Sequence, residues 1–377
     1  MIDLAGGHVI GIFKAASADD EYRDSYAIAT NVLRDAWPDV VKVLPRNPYQ
    51  SLEAFTEDDA DLFLGRDAEI NRLVEVVRRS PLVLVIGPSG VGKSSLVQAG
   101  LIPALDADGW ACEVCRPSDH PDDPFQALAA ALRRAEGATG ADIDLQRARA
   151  AEIRDGGLTG LAAALRAGSG RRTLLVVDQM EELFHVEDGR VVAGFLERLL
   201  ELPGTMRREQ PVAVVATLRA DFYHRLLDHP DAAPRLTGRE VMLSPLGAAA
   251  LREVIEQPAR RSGGVTFEDH LVDRIVVDAT TGAGALPLLE FALTTLWDRQ
   301  SGGRIGHTAY GEIGAVTGSL DQHGEDTAEE LLDDGISDRD IERTLIALVS
   351  SSSREDIPAT RRTCPAGDLD AIQLRVA

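Results

Sequence analysis

Cysteine is scarce in this chain, with three residues among 377. That count builds no disulfide framework, and a reducing, cytoplasmic location is expected. Two of the three form Cys112-x-x-Cys115, inside a segment that reads as a strand (Trp110–Cys115). Side chains three apart on a strand face opposite sides, and no second cysteine pair is present, so a zinc or redox site is not expected. Long apolar runs are also missing, which excludes a membrane-spanning helix. The N-terminus, Met1-Ile2-Asp3, lacks the basic start of a signal peptide. Positive charge is in deficit: 39 Lys and Arg stand against 61 Asp and Glu, for a net charge of -22 and a pI near 4.7. Such a chain repels phosphate backbones, so nucleic acid is not expected as a partner, although a net sum leaves room for one small basic patch. No solenoid or propeller repeat is present.

What the chain does have is apolar residues, 44% of the total, enough to bury two or three cores. Leu82–Ile86 is a β-branched and Leu run that reads as a buried strand. Directly after it, Gly87-x-x-x-x-Gly92-Lys93-Ser94 satisfies the phosphate-binding loop pattern and opens a helix. The chemistry explains the spacing. Backbone N–H groups surround a polyphosphate only where no Cβ blocks the approach, which Gly87, Gly90 and Gly92 allow. Ser89, Val91 and Ser95 complete the nucleotide-lining loop. The helix beginning near Lys93 turns its positive dipole end to the same anion. Lys93 is placed for the outer phosphates and the Ser94 hydroxyl for Mg²⁺.

Two later strands end in polar groups. Thr173–Val177 runs into Asp178, an acid at a strand's carboxyl end, where it binds Mg²⁺ directly or through water. Glu181 and Glu182 follow within Gln179–Phe184 and are read as the pair that polarises an attacking water, without a choice between them. Their competing reading is as helix N-terminal acids. Val212–Leu218 leads to Arg219, read as a γ-phosphate sensor or, alternatively, as a partner of Asp221.

The remaining chain divides as follows. Residues 1–45 suggest a small β-α-β appendage of unknown role, its helix at Glu21–Trp37. Residues 46–242 form the P-loop domain, 243–302 a helical lid, and 303–377 a helical and partial winged-helix segment, which reads as the truncated end of a longer protein. Asp61–Val77 is a capped helix and its lead-in, with an adenine-side wall as the other reading. Pro103 is expected to stop the P-loop helix. Leu145, Ile153, Leu158, Leu161 and Leu165 are expected in the core, and residues 301–316 as a glycine-rich linker. Pro287, at a helix start after Gly284, either simply begins that helix or presses on the adenine from the lid side.

Asn47–Leu52, Phe63–Arg66, Gly87–Ser95, Leu174–Phe184, Leu218–Phe222 and Gly284–Glu290 together resemble the STAND class of P-loop NTPases, specifically the novel STAND NTPase family of bacterial signalling proteins. The resemblance covers about residues 46–300. It implies an α/β fold: a P-loop NTPase with a parallel sheet flanked by helices, then a helical lid domain and a winged-helix domain. It implies ATP and ADP with Mg²⁺ as ligands. It implies a switch that holds ADP, exchanges it for ATP when a protein trigger arrives, forms a homo-oligomer and activates an effector. By the same resemblance Gly65 and Arg66 line the adenine side, Arg219 is the first sensor and Pro287 lies against the nucleotide. The residue after Asp178 is Gln179, where many P-loop ATPases carry an acid, so slow hydrolysis is expected. Two other readings stay open: a nucleic-acid-handling ATPase of the initiator or loader type, disfavoured by charge, and a kinase, for which no acceptor motif is found.

Overall fold

The computed structural model describes residues 11–13, 27–29, 46–120, 123–135, 142–156, 172–201, 212–230, 232–281, 285–350, 360–361, 369–370 and 372–376. Its centre is a five-stranded parallel sheet. The strands are β1 (Leu82–Gly87), β2 (Ala111–Cys115), β3 (Thr173–Val177), β4 (Val212–Arg219) and β5 (Glu240–Met242), in the order β2-β3-β4-β1-β5. Every residue of β1 and β3 is buried, as a sheet covered by helices on both faces requires. That is why these segments read as unbroken apolar runs rather than alternating ones. The register sets Gly87 of β1 beside Arg219 of β4, and Val177 of β3 beside Ala216 of β4. The carboxyl ends of three strands therefore meet along one edge, where open α/β sheets bind ligands.

The chain makes two compact units that interleave in sequence. One consists of residues 55–60, 66–245 and 327–377, and the other of residues 1–54, 61–65 and 246–326. In the sheet unit, helices α1 (Asp67–Arg79), α2 (Pro124–Ala135) and α3 (Gly189–Glu201) pack their apolar stripes on the strands. Phe125 and Phe195 meet edge to face in that core. Toward the C-terminus, Val349–Ser350 pairs antiparallel with Thr360–Arg361.

In the helical unit, α4 (Ala248–Arg261), α5 (Leu271–Thr281) and α6 (Ala285–Asp298) enclose a second core of Ile255, Ile275, Leu289, Leu293 and Tyr310. Tyr49 enters this core and donates from its hydroxyl to the Ile255 carbonyl at 2.5 Å. Asn47 reaches the Thr294 carbonyl through its side-chain amide at 3.1 Å. The turn-forming Asn47–Gln50 segment is thus a structural part of the helical unit.

Several expectations need correction. Pro103 does not end the P-loop helix: Lys93–Ala107 continues through it, with a π-helical stretch at Leu96–Leu101 and Pro103 in the first turn of Ile102–Ala107. A proline is tolerated where the preceding turn has a widened bond pattern, because its missing N–H then breaks no ladder bond. Residues 301–316 are not a linker. Arg304–Ile305 pairs with Thr266–Phe267, His307–Glu312 is helical, and Ile305 and Tyr310 are wholly buried. Two apolar anchors outweigh the local glycine content. Ala27–Ala29 is a strand antiparallel to Gly11–Phe13, where a helix over Glu21–Trp37 was expected. Leu145 is exposed, on the outer side of the helix Ile143–Gly156 that buries Ile153. Leu158, Leu161, Leu165 and Gly284 lie outside the described residues. Among the described residues no helix is long and apolar enough to cross a membrane.

Candidate nucleotide site

The loop after β1 is shaped by two glycines and one close approach. Gly90 and Gly92 have φ of 70° and 91°, conformations that side-chain-bearing residues rarely adopt. A Cβ on Gly87 would lie 2.6 Å from the Leu243 carbonyl oxygen, so only glycine fits between the loop and the segment following β5. The result is a cradle with bare backbone at the start of the helical run Lys93–Ala107. Arg66 supports it from below. Its buried guanidinium donates to the Val91 carbonyl at 3.0 Å and pairs with Glu69 at 2.9 Å. Ser89 is exposed at the loop's crest. The Ser95 hydroxyl accepts from the Phe55 backbone N–H at 3.2 Å, which gives Ser95 a structural bond at the helix start.

Lys93 folds back over the loop. Its ammonium donates to the Gly87 and Pro88 carbonyls at 3.1 and 2.8 Å. Burial holds its pKa below the usual lysine range, opposed in part by the nearby Glu181 carboxylate. An ammonium so placed has surrendered water for weak dipoles, so it favours an anion with dense charge.

Asp178, at the end of β3, is wholly buried. Its Oδ1 accepts from Ser94 Oγ and Thr217 Oγ1, both at 2.8 Å. Its Oδ2 accepts from Gln98 Nε2 at 3.0 Å and Arg116 Nε at 3.3 Å. Ser94 and Asp178 are 84 positions apart in sequence, yet they share a hydrogen bond. A hydroxyl beside a carboxylate next to a phosphate cradle is the hard-oxygen set that Mg²⁺ takes when phosphates supply the remaining ligands. Among the described residues there is no group of three or more His, Cys, Asp or Glu side chains fit to hold a metal by itself. The bare-backbone cradle and the Ser94–Asp178 pair fit a magnesium nucleotide.

The two glutamates separate. Both lie on the 3-10 turn Met180–His185, which Gln179 enters with φ of 55°. Glu181 accepts the Arg219 backbone N–H at 3.2 Å and faces Lys93. Burial raises its pKa, while its own backbone, Lys93 and Arg219 pull it back down. Glu182 turns toward Ser118, which bonds to it, and Arg116. Burial pushes its pKa up to about 7, and its Oε2 is buried with no hydrogen-bond partner. Phe184 from this turn stacks on Phe222 just past β4, with centroids 6.1 Å apart, and fixes the two strand ends to each other.

Arg219 stands beside the loop in register with Gly87, and its side chain makes a two-point ion pair with Asp221 at 2.7 and 3.1 Å. Its guanidinium also sits over the Phe222 ring. The structure thus places the Arg219 side chain on Asp221, with its backbone at the cradle's flank. Gly65 and Pro287 belong to the helical unit. Gly65, with φ of 74°, packs on Val254 and Ala250 of α4, where an added Cβ would come within 3.2 Å. Pro287 is the third residue of α6 and is partly buried.

Gln98, Arg116 and Thr217 were not anticipated. Each carried a signal. Thr217 is the one hydroxyl in the apolar run of β4, Gln98 follows Ser94 by one helical turn, and Arg116 is the first polar residue after β2. Thr217 also accepts the Gln179 N–H at 2.8 Å, so it joins β4 to the turn that carries both glutamates. Cys115 is a core residue of β2, its thiol pushed up to about 12 by burial.

Over residues 48–376 the chain matches the family model described as Novel STAND NTPase 1. No curated protein is matched. Among solved structures, the chain is similar to the ORC1 protein of Aeropyrum pernix in complex with DNA, at 18% identity over 77% of this chain and 73% of that one, with a TM-score of 0.50. It also aligns with the ORC2 protein of the same organism in ADPNP–ADP complexes, at 15% identity over 68% of each chain and a TM-score of 0.47. A Walker-type ATPase of Pyrococcus abyssi aligns at 14% identity over 80% and 85%, with a TM-score of 0.47. The first likeness shows a shared P-loop fold.

Proposed function

This chain belongs to the Novel STAND NTPase 1 family, and we propose that it works as a slow ATP-dependent switch that exchanges ADP for ATP, assembles with copies of itself and activates an effector. The observation that carries this reading is the contact of Ser94 with Asp178 beside the Gly87–Lys93 cradle, which unites phosphate and magnesium ligands in one place. Bound Mg²⁺ would supply positive charge to the outer phosphates, held by Ser94 and Asp178. The chain's own groups do the rest. The loop N–H groups and Lys93 bind phosphate oxygens, Arg66 keeps the loop in shape, and Glu181 orients water from its seat on the Arg219 amide.

Slow turnover is supported by the same geometry. The position after Asp178 is Gln179, which cannot accept a proton at neutral pH. Glu182 turns away to Ser118 and Arg116, so Glu181 alone is left beside Lys93 to activate water. A site that binds well and hydrolyses slowly suits a timer better than a turnover machine. Arg219 would leave Asp221 for a γ-phosphate and so distinguish ATP from ADP. The nucleic-acid reading has only the fold likeness in its favour, and a net charge of -22 opposes it.

The test is to identify the nucleotide that remains on the purified protein and to measure assembly by light scattering with ADP and with ATP. Retained ADP, with larger assemblies only in ATP, supports the switch. An empty site with fast steady-state turnover overturns it.

A further inference from the structure

We propose that Arg116 is a resident counter-ion of Asp178 that magnesium has to displace, so that the end of β2 sets how readily the site takes up metal. The inference rests on the reading of Ser94 and Asp178 as magnesium ligands and adds a competitor to it. Asp178 accepts four side-chain donors, two on each oxygen. A carboxylate offers about four lone-pair positions, so all are engaged. A metal ion, or a water on that ion, needs one of them, and one donor has to withdraw.

The four donors are not equal. Ser94 is itself a magnesium ligand in this reading and stays. Thr217 is wholly buried and is locked in place by the Gln179 N–H that it accepts. Gln98 is neutral and gains nothing electrostatically by leaving. Arg116 holds the longest contact, 3.3 Å, and its side chain is 38% exposed against 0% for Asp178, so it has a path to water. Its charge decides the matter, because two cations on one buried carboxylate repel each other strongly at low dielectric. Its backbone N–H is meanwhile held by Asp119 at 3.3 Å, so the side chain can swing while the end of β2 keeps its position. Glu182, which already feels the Arg116 charge and has an unpartnered Oε2, offers the guanidinium a second seat.

The experiment is a Mg²⁺ titration of fluorescent N-methylanthraniloyl-ADP binding to the full chain, in the wild type, Arg116→Gln, Arg116→Lys and Asp178→Asn. Loss of the competitor in Arg116→Gln should lower the half-saturating Mg²⁺ concentration by about three- to tenfold, the scale of a partly exposed ion pair. Arg116→Lys, which keeps the charge, should stay near the wild type. An unchanged or higher Mg²⁺ requirement in Arg116→Gln overturns the proposal while leaving the site reading intact. Binding that ignores Mg²⁺ in the wild type and in Asp178→Asn alike overturns the site reading, and the proposal with it. A second measurement uses only wild-type protein: phenylglyoxal modification of Arg116, followed by mass spectrometry, should accelerate when Mg²⁺ and ADP are both added. Slower modification under those conditions counts against displacement.

Discussion

The Arg219 backbone N–H donates to Glu181 Oε2 at 3.2 Å, and this bond divides the work of two adjacent glutamates. It holds Glu181 at the tip of β4 facing Lys93, while Glu182 turns away to Ser118 and Arg116. Glu181→Gln keeps an acceptor for the amide and removes the base. Its ATP turnover should fall by roughly a hundredfold, the usual scale for loss of a positioned base, with ATP affinity little changed. Glu182→Gln should have a much smaller effect on turnover. A phosphate-release assay at saturating ATP distinguishes the two, and equal losses would refute the division.

Lys93 is buried and rests on two loop carbonyls. Lys93→Ala should therefore reduce nucleotide affinity by about a hundredfold, the scale of a hydrogen bond to a charged group. Equilibrium binding by calorimetry measures it. Unaltered affinity would remove the phosphate from this loop.

Thr217 is a joint with two bonds, one to Asp178 and one from Gln179. Thr217→Val keeps the shape and leaves the half-buried Gln179 N–H without its acceptor. The expected loss of stability is about 1–3 kcal/mol, read from urea denaturation. Asp178 also loses a donor, so Mg²⁺-dependent nucleotide binding should change in the same variant.

Glu290 in α6 is buried, and desolvation pushes its pKa up to about 8, with only the Gln50 N–H at 3.3 Å to favour the charged form. The native state therefore holds this proton while the unfolded chain releases it near the ordinary glutamate range. The native state binds more protons between those two values, so Glu290 lowers stability progressively as pH rises from about 4.5 to about 8. Glu290→Gln should remove that contribution. The variant should melt above the wild type at pH 8, and the difference should shrink toward pH 5. Parallel melting curves across that range would contradict the burial argument.

The P-loop, the acid that follows β3 and the arginine that ends β4 were legible because each is a short, local pattern: an apolar run that stops at a polar residue, or glycines at a fixed spacing. Their backbone demands are local as well, as the positive φ of Gly90 and Gly92 illustrates. Arg116, Gln98 and Thr217 were not legible as site residues. Each meets Asp178 from a different element, and which polar residue reaches a given carboxylate depends on strand order and helix rotation. The same limit explains Pro103, where a π-helical stretch absorbed the missing donor, and residues 301–316, where burial of Ile305 and Tyr310 ordered a glycine-rich segment.

Sequence alone determined the chemistry available here: a backbone cradle free of Cβ atoms, one lysine, one hydroxyl and one strand-end acid, because residue type and spacing dictate those properties directly. Tertiary structure decided the assignments among them. It split Glu181 from Glu182, gave Asp178 four partners from three separate elements, and set Arg219 against Asp221 at the flank of the cradle. Those choices depend on which strands lie side by side, and the parallel order β2-β3-β4-β1-β5 emerges only when distant apolar runs are buried against one another.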